Sequence, residues 1–222
     1  HKSTHGSGAR TIPLISCDYL YITERGVLAK EELQEDEEIR ALKALVLFCG
    51  ATKTIFAHAV PKKGLDQKGY IVEQIKQDVL WLGHPAVIIR GDNEPALVQA
   101  SGAASAALRS AGVSSADEGS VPYDPQTNGA AENAVRLLKG TLRSNQLGLE
   151  RQTKARVPID HPILTWMVPY AAQVRTMRVR GSDGQTAQQR ARGSESATRL
   201  LPFGRRHWRQ WRHLEHGRVD GH

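Results

Sequence analysis

A chain of 222 residues with 40% hydrophobic residues and two cysteines can bury a sizeable core without disulfide staples, which excludes a stapled mini-protein. Cys17 and Cys49 lie inside apolar runs, the pattern of buried free thiols in a reducing compartment. No apolar run approaches the roughly twenty residues of a membrane span, and no signal-peptide core opens the chain, so the expectation is a soluble, intracellular protein with no membrane partner. The formal charge of +7 is unevenly placed: residues 175–222 hold eleven arginines against four acids, and residues 1–174 are neutral. An arginine-rich end can neutralise phosphates, although a solvated basic tail has the same composition.

In chain order, Thr11 to Ile22 reads as a mostly apolar central strand interrupted by Ser16, Cys17 and Asp18. Glu31 to Glu38 carries six acids in eight residues and reads as a solvated loop or helix start without chemistry. Ala41 to Cys49 and Thr54 to Val60, separated by Gly50-Ala51, form the two arms of an antiparallel hairpin closed by Pro61. Helical spacing of Leu65, Tyr70, Val72, Ile75, Val79 and Leu82 predicts a helix over Asp66 to Leu82, ended by Gly83. Ala86 to Ile89 is then a short strand aimed at Asp92, and the Ala-rich stretch Glu94 to Ala111 a helix ended by Gly112. Ser114 to Tyr123 is polar and irregular, and Asp124-Pro125 and Asn128-Gly129 mark turns, so this stretch reads as a loop. Ala130 to about Gln146 and Pro162 to about Arg178 read as helices, after which only Leu200-Leu201-Pro202-Phe203 interrupts a polar, arginine-rich extension. Three hairpin-connected strands followed by alternating helix and strand imply an α/β fold with a mixed sheet flanked by helices. The division predicted is a core over residues 11–178 and a basic, largely irregular extension over 179–222.

Three carboxylates occupy telling places. Asp18 interrupts an apolar strand, where a carboxylate is costly unless it is paired or binds metal. Asp92 ends a strand, where ligands gather in open sheets. Glu132 opens the helix that follows the turn-rich loop. Taken singly, Asp92 serves equally as a helix N-cap and Glu132 as a favourable charge at a helix start. Taken together, they form the oxygen set that hard cations such as Mg2+ prefer, and two such ions can activate a nucleophile and stabilise a leaving oxygen at a phosphodiester.

Their order and surroundings are quotable: Ser16-Cys17-Asp18-Tyr19-Leu20, Ile89-Arg90-Gly91-Asp92-Asn93-Glu94, and Asp124-Pro125-Gln126-Thr127-Asn128-Gly129-Ala130-Ala131-Glu132-Asn133, with 73 residues between the first two acids and 39 between the last two. These motifs resemble those of the catalytic core of retroviral and retrotransposon integrases, a ribonuclease-H-like family with an Asp, Asp, Glu triad. The resemblance covers about Thr11 to Arg178 and extends weakly to Leu201-Pro202-Phe203-Gly204. It implies a mixed five-stranded sheet and a polynucleotidyl transferase in which Asp18, Asp92 and Glu132 are the catalytic residues and the ligands of Mg2+ or Mn2+, two ions in all. It further implies element ends and target DNA as partners, a homo-oligomer, and a nuclear integration step. The matching positions assign DNA contacts to Gln126 of the loop and to Arg136 and Lys139 of the helix, and Asn128 of the same loop is expected to contact DNA with them.

The residues support that helix independently. With Glu132 at zero and about 100° per residue, Arg136, Lys139 and Arg143 fall near 40°, 340° and 20°, a single stripe suited to phosphate contact. Val135, Leu138 and Leu142 fall on a neighbouring face suited to the sheet. A solvated face with pairing of Glu132 and Arg136 gives the same stripe. Ser120 and Asn128-Gly129 flank a loop that mobility would open to DNA.

His1 and His5 are four apart, but no Cys-x2-Cys pair follows, so no zinc is expected. Beginning almost at its first catalytic strand, the chain reads as a fragment of a polyprotein or an isolated relic. Trp208 and Trp211, set among arginines, have the chemistry to stack on unpaired bases, as a disordered tail would also contain them. Three functions fit these residues: an integrase that processes DNA 3′ ends and joins them to target DNA, a nuclease of the same fold, and an idle nucleic-acid-binding relic of a mobile element.

Overall fold

The central strand is β1 (Leu14–Thr23), buried on both faces as its run of apolar residues requires. In this computed structural model, which describes residues 12–119, 125–195, 197, 200 and 203–204, β1 is flanked antiparallel by β3 (Leu42–Cys49), and β3 by β4 (Ile55–Val60). On its other edge β1 runs parallel to β5 (Ala86–Gly91), and β5 to β6 (Ser114–Gly119), giving the order β4-β3-β1-β5-β6. A sixth strand, the three-residue β2 (Gly26–Leu28), hairpins onto the end of β1.

The placement of β2 shapes the sheet. Because β3 occupies one edge of β1 along its length, β5 and β2 share the other: β5 stops with Gly91 opposite Cys17, and pairing resumes on β1 at Tyr21, opposite Leu28, the last residue of β2. The β1 edge between them, residues 18–20, lies opposite the exit of β5 at Asp92. This is a break in the sheet at the carboxyl end of β5, the position where open sheets place ligands.

Side chains alternate across β1. Ile15, Cys17, Tyr19 and Tyr21 face the core built with α2 (Tyr70–Leu82) and α3 (Pro95–Ser110). Leu20 and Ile22 face the other core, built with α4 (Pro125–Thr153) and α5 (Ile163–Arg178). Asp18 shares the parity of Leu20 and therefore lies on the α4 side of the sheet. Thr176 of α5 helps to close the β4 edge: its hydroxyl accepts from the Ile55 amide at 3.1 Å and donates to the Ile55 carbonyl at 2.9 Å.

Several sequence expectations are corrected. Ser114 to Gly119, read as loop, is the parallel edge strand β6; an edge strand exposed along most of its length needs no apolar signature. A turn is expected at Asp124-Pro125 and Asn128-Gly129; Asp124 lies outside the described residues, and residues 125–129 instead begin α4. Proline is favoured in a first helical turn, and the glycine penalty at Gly129 is only about 1 kcal/mol. The acidic run, read as a solvated loop or helix start, holds a 3-10 turn at Lys30–Glu32 and the start of α1 (Glu35–Arg40). The extension begins with structure: α6 (Ala187–Arg192) is started by a capping box of Thr186 and Gln189. Arg190 holds Asp183, Arg192 stacks on Trp81 at 4.7 Å, and Phe203 packs against Tyr170 at 5.1 Å. His1, His5, Ser120, Trp208 and Trp211 lie outside the described residues.

Gly91, the last residue of β5, has no room for a side chain. A Cβ there would stand 2.6 Å from Cδ2 and 2.7 Å from Cγ of Leu97, which is buried between α3 and the sheet. Gly91→Ala is expected to cost about 1–3 kcal/mol through overpacking, read as a lower urea midpoint; an unchanged midpoint would mean that Leu97 repacks freely.

Candidate active site

The register that pairs Cys17 with Gly91 makes Asp18 and Asp92 the next residues along two adjacent strands, and adjacent strands lie about 4.8 Å apart. Both acids therefore emerge at the break in the sheet. Each fixes one carboxylate oxygen on the amide of the following residue, Tyr19 N to Asp18 Oδ1 and Asn93 N to Asp92 Oδ1, both at 2.7 Å. Asp92 retains 42% of its side-chain surface.

Glu132 lies exposed near the start of α4, whose Ala134, Val135 and Leu138 are buried against the sheet on the side that Asp18 faces. Among the described residues, no three His, Cys, Asp or Glu side chains stand close enough together to hold a metal ion. The register sets Asp18 and Asp92 at neighbouring positions along β1 and β5, and Glu132 stands exposed on α4, which packs on the side of the sheet that Asp18 faces. The donor chemistry of the two aspartates fits a hard divalent cation: both are carboxylates at a partly open edge, and the site already accommodates positive charge.

That charge comes from Lys30, in the 3-10 turn. Its Nζ stands 3.6 Å from Asp92 and 3.0 Å from Glu94. Lys63 Nζ reaches Glu94 at 2.5 Å and also pairs with Glu38. Burial disfavours the Glu94 carboxylate, but the hydrogen bonds from Lys63 and Lys30 outweigh it and hold its pKa below the ordinary value. On the opposite face of β1, burial first, then the charges of Asp18 and Asp78, pushes the Cys17 thiol up to about 12, so it stays protonated and is a poor metal ligand or nucleophile.

The basic stripe on α4 is real but occupied. Arg136 donates to Asn133 Oδ1 at 2.7 Å and is exposed. Arg143 donates to the Val27 carbonyl of β2 at 3.0 Å. Lys139 pairs with Glu32, and only 13% of its side chain is exposed. Gln126 and Asn128 fall in the first turn of α4, but their side chains lie outside the described residues. Sequence reasoning missed Lys30, Glu32, Lys63 and Glu94 as neighbours of the site. Only Glu94 carried a signal, by standing two residues after Asp92.

No helix among the described residues is long and apolar enough to cross a membrane. No protein-family model and no curated protein matches the sequence. The structure, however, has the fold of retroviral integrase catalytic cores. It is similar, with a TM-score of 0.56 and 17% identity, to a chain of the simian T-cell lymphotropic virus intasome in complex with PP2A regulatory subunit B56 gamma, over 91% of this chain and 62% of that one. It is also similar, with a TM-score of 0.51 and 14% identity, to the HTLV-2 integrase catalytic core domain in complex with magnesium, in a dimeric form, over 81% of this chain and 94% of that one. The chain thus spans less than two thirds of the length of the intasome chain it matches.

Proposed function

We propose that the chain is a retrotransposon-type integrase core, a divalent-metal-dependent polynucleotidyl transferase that processes DNA 3′ ends and joins them to target duplex. The observation that carries this reading is the adjacency of Asp18 and Asp92 at the break between β5 and β2 on an integrase-like sheet. In this reading residues 11–178 are the transferase core and 179–222 a basic extension that adds phosphate contacts. Self-association and action on nuclear DNA belong to the same reading, the HTLV-2 core being described in a dimeric form.

Asp18 and Asp92 would hold the cation, Mg2+ or Mn2+, with Glu132 as the third donor. Such an ion, when bound, supplies Lewis-acid stabilisation of the charge that develops on phosphate oxygens. The chain's own residues do the positioning. The Tyr19 and Asn93 amides orient the two aspartates, and Lys30 compensates their charge at the open edge. Arg136, exposed on the stripe of Glu132, neutralises a backbone phosphate and sets the scissile bond against the carboxylates. Water, and then a DNA 3′ hydroxyl, attacks phosphorus in line as the opposite bond from phosphorus to the 3′ oxygen of the attacked strand breaks, that oxygen leaving as a hydroxyl, so no covalent enzyme intermediate forms.

The test is incubation of a labelled duplex end with a plasmid and Mg2+ or Mn2+. Joined product is expected. Hydrolysed ends without joining would make the chain a nuclease of this fold, and DNA binding without any cleavage would leave the idle relic. A second measurement bears on the stripe: each phosphate neutralised contributes about 0.9 to the slope of log affinity against log salt. Arg136→Ala is therefore expected to flatten that slope by about one, with little dependence on DNA sequence; an unchanged slope would make Arg136 a solvated surface charge.

A further inference from the structure

The acidic run 31–38, to which the sequence reading gave no role, is a place where ion pairs converge. Glu32 pairs with Lys139 of α4, Glu37 with Arg25 at 2.5 Å, and Glu38 with Lys63. The first of these matters for function, because Lys139 belongs to the stripe assigned above to DNA phosphates and its side chain is 13% exposed. The Lys139 side chain is largely covered, and Glu32 holds its ammonium.

Two residues earlier the same 3-10 turn reaches the other half of the site, where Lys30 stands 3.6 Å from Asp92 and 3.0 Å from Glu94. The turn thus presents a cation to the carboxylate side and a carboxylate to the cationic side. These are the charges that a metal ion and a DNA phosphate would bring. Arg25 straps the segment in place, donating to the Glu37 carboxylate at 2.6 Å and to the Glu32 carbonyl at 2.9 Å. The strap grips the backbone, which stays anchored when the Glu32 carboxylate, also accepting from the Ala29 amide at 2.8 Å, lets go of Lys139.

We propose that the turn Lys30–Glu32 is a built-in competitor for nucleic acid, in which the Glu32 carboxylate occupies Lys139 until a DNA backbone phosphate displaces it. The inference rests on the reading of the α4 stripe as a DNA-binding surface. The physics favours displacement. The Glu32 half of the pair is 47% exposed, so water and salt reach and weaken it, whereas a duplex end offers several phosphates and releases counterions as it binds. The bond to Lys139, more than any other contact, holds the Glu32 carboxyl below its ordinary pKa, so the carboxylate is charged at neutral pH and repels an approaching phosphate as long as it stays.

The experiment is fluorescence anisotropy of the full chain with a short labelled duplex, without divalent metal, at several salt concentrations. It compares the natural sequence with Glu32→Gln, Lys139→Ala and the double variant. Glutamine keeps the shape of the side chain and its ability to accept from the Ala29 amide, a bond of 2.8 Å here. Glu32→Gln is expected to bind DNA about 2- to 5-fold more tightly, with a salt slope little changed because Lys139 meets a phosphate in both bound complexes, and the gain in affinity should vanish in the double variant. A gain that persists without Lys139 overturns the proposal, since Glu32 would then act only through net charge. Natural-sequence binding that Arg136→Ala weakens but Glu32→Gln leaves unchanged overturns the competitor alone. Absence of duplex binding by both the natural chain and Glu32→Gln at low salt overturns the DNA-binding reading with it.

Discussion

Asp92→Asn is expected to reduce metal-dependent DNA joining about a thousandfold or more while leaving the fold intact. Asparagine is nearly isosteric, and its side-chain oxygen still accepts from the Asn93 amide, the 2.7 Å bond that orients the residue. What it lacks is the negative charge. A bound divalent ion contributes several kcal/mol of transition-state stabilisation, and each 1.36 kcal/mol is about tenfold in rate. The lost contact with Lys30, at 3.6 Å between half-exposed groups, contributes little to stability. Joining assays in Mg2+ and Mn2+, run beside thermal melts, check both halves of the expectation. Joining by the Asn variant at a near-natural rate would falsify the assignment of Asp92 to the metal site. A melting point lowered by many degrees would show that the loss reflects folding.

The largest effect on stability is expected away from the site, at His58 and Asp78. His58 on β4 meets Asp78 of α2 at 2.7 Å, with 15% and 11% of their side chains exposed. Burial raises the Asp78 pKa, and the charge and hydrogen bond of His58 oppose that rise. His58→Ala leaves a buried carboxylate without this partner, which costs about 3–5 kcal/mol, a large share of the 5–15 kcal/mol typical of a domain. The cost depends on pH with a definite sign. A carboxyl whose pKa is raised in the fold binds its proton more tightly there than in the unfolded chain, so the penalty is present above the raised pKa and fades as pH falls through it. Urea unfolding of His58→Ala and of His58→Ala with Asp78→Asn should therefore differ most near neutral pH and converge on acidification. A gap that does not narrow would mean that Asp78 is not the source of the penalty.

How far the molecule was legible in its sequence depended on the range of the signal. β1, β3 and β4 were read from apolar runs, and α2, α3 and α5 from helical spacing and glycine stops, because burial imposes a local period on any strand or helix that covers a core. α6 carried its own start signal, Thr186 followed three residues later by Gln189, which went unread amid polar composition. β6 carried none: with most of its residues exposed, only pairing to β5 makes it a strand. The first turn of α4 reads as a turn in sequence because Pro125 is favoured in both settings and Gly129 costs a helix only about 1 kcal/mol, so local preference alone does not separate the two.

The acids show the same division. Asp18, Asp92 and Glu132 stand out in sequence because the first interrupts an apolar strand, the second follows one, and the third closes a turn-rich motif, and the parallel register of β1 and β5 sets the first two at neighbouring positions. Their electrostatic surroundings were decided only by tertiary structure. Lys30 meets Glu94 across 64 positions and Glu32 meets Lys139 across 107. A sequence displays the sign of each charge at its place in the chain, but Coulomb attraction has no preferred direction and no period along a chain. An acidic run therefore reads alike whether it faces water or a lysine, and here the choice was made by the packing of one 3-10 turn between the break in the sheet and the flank of α4.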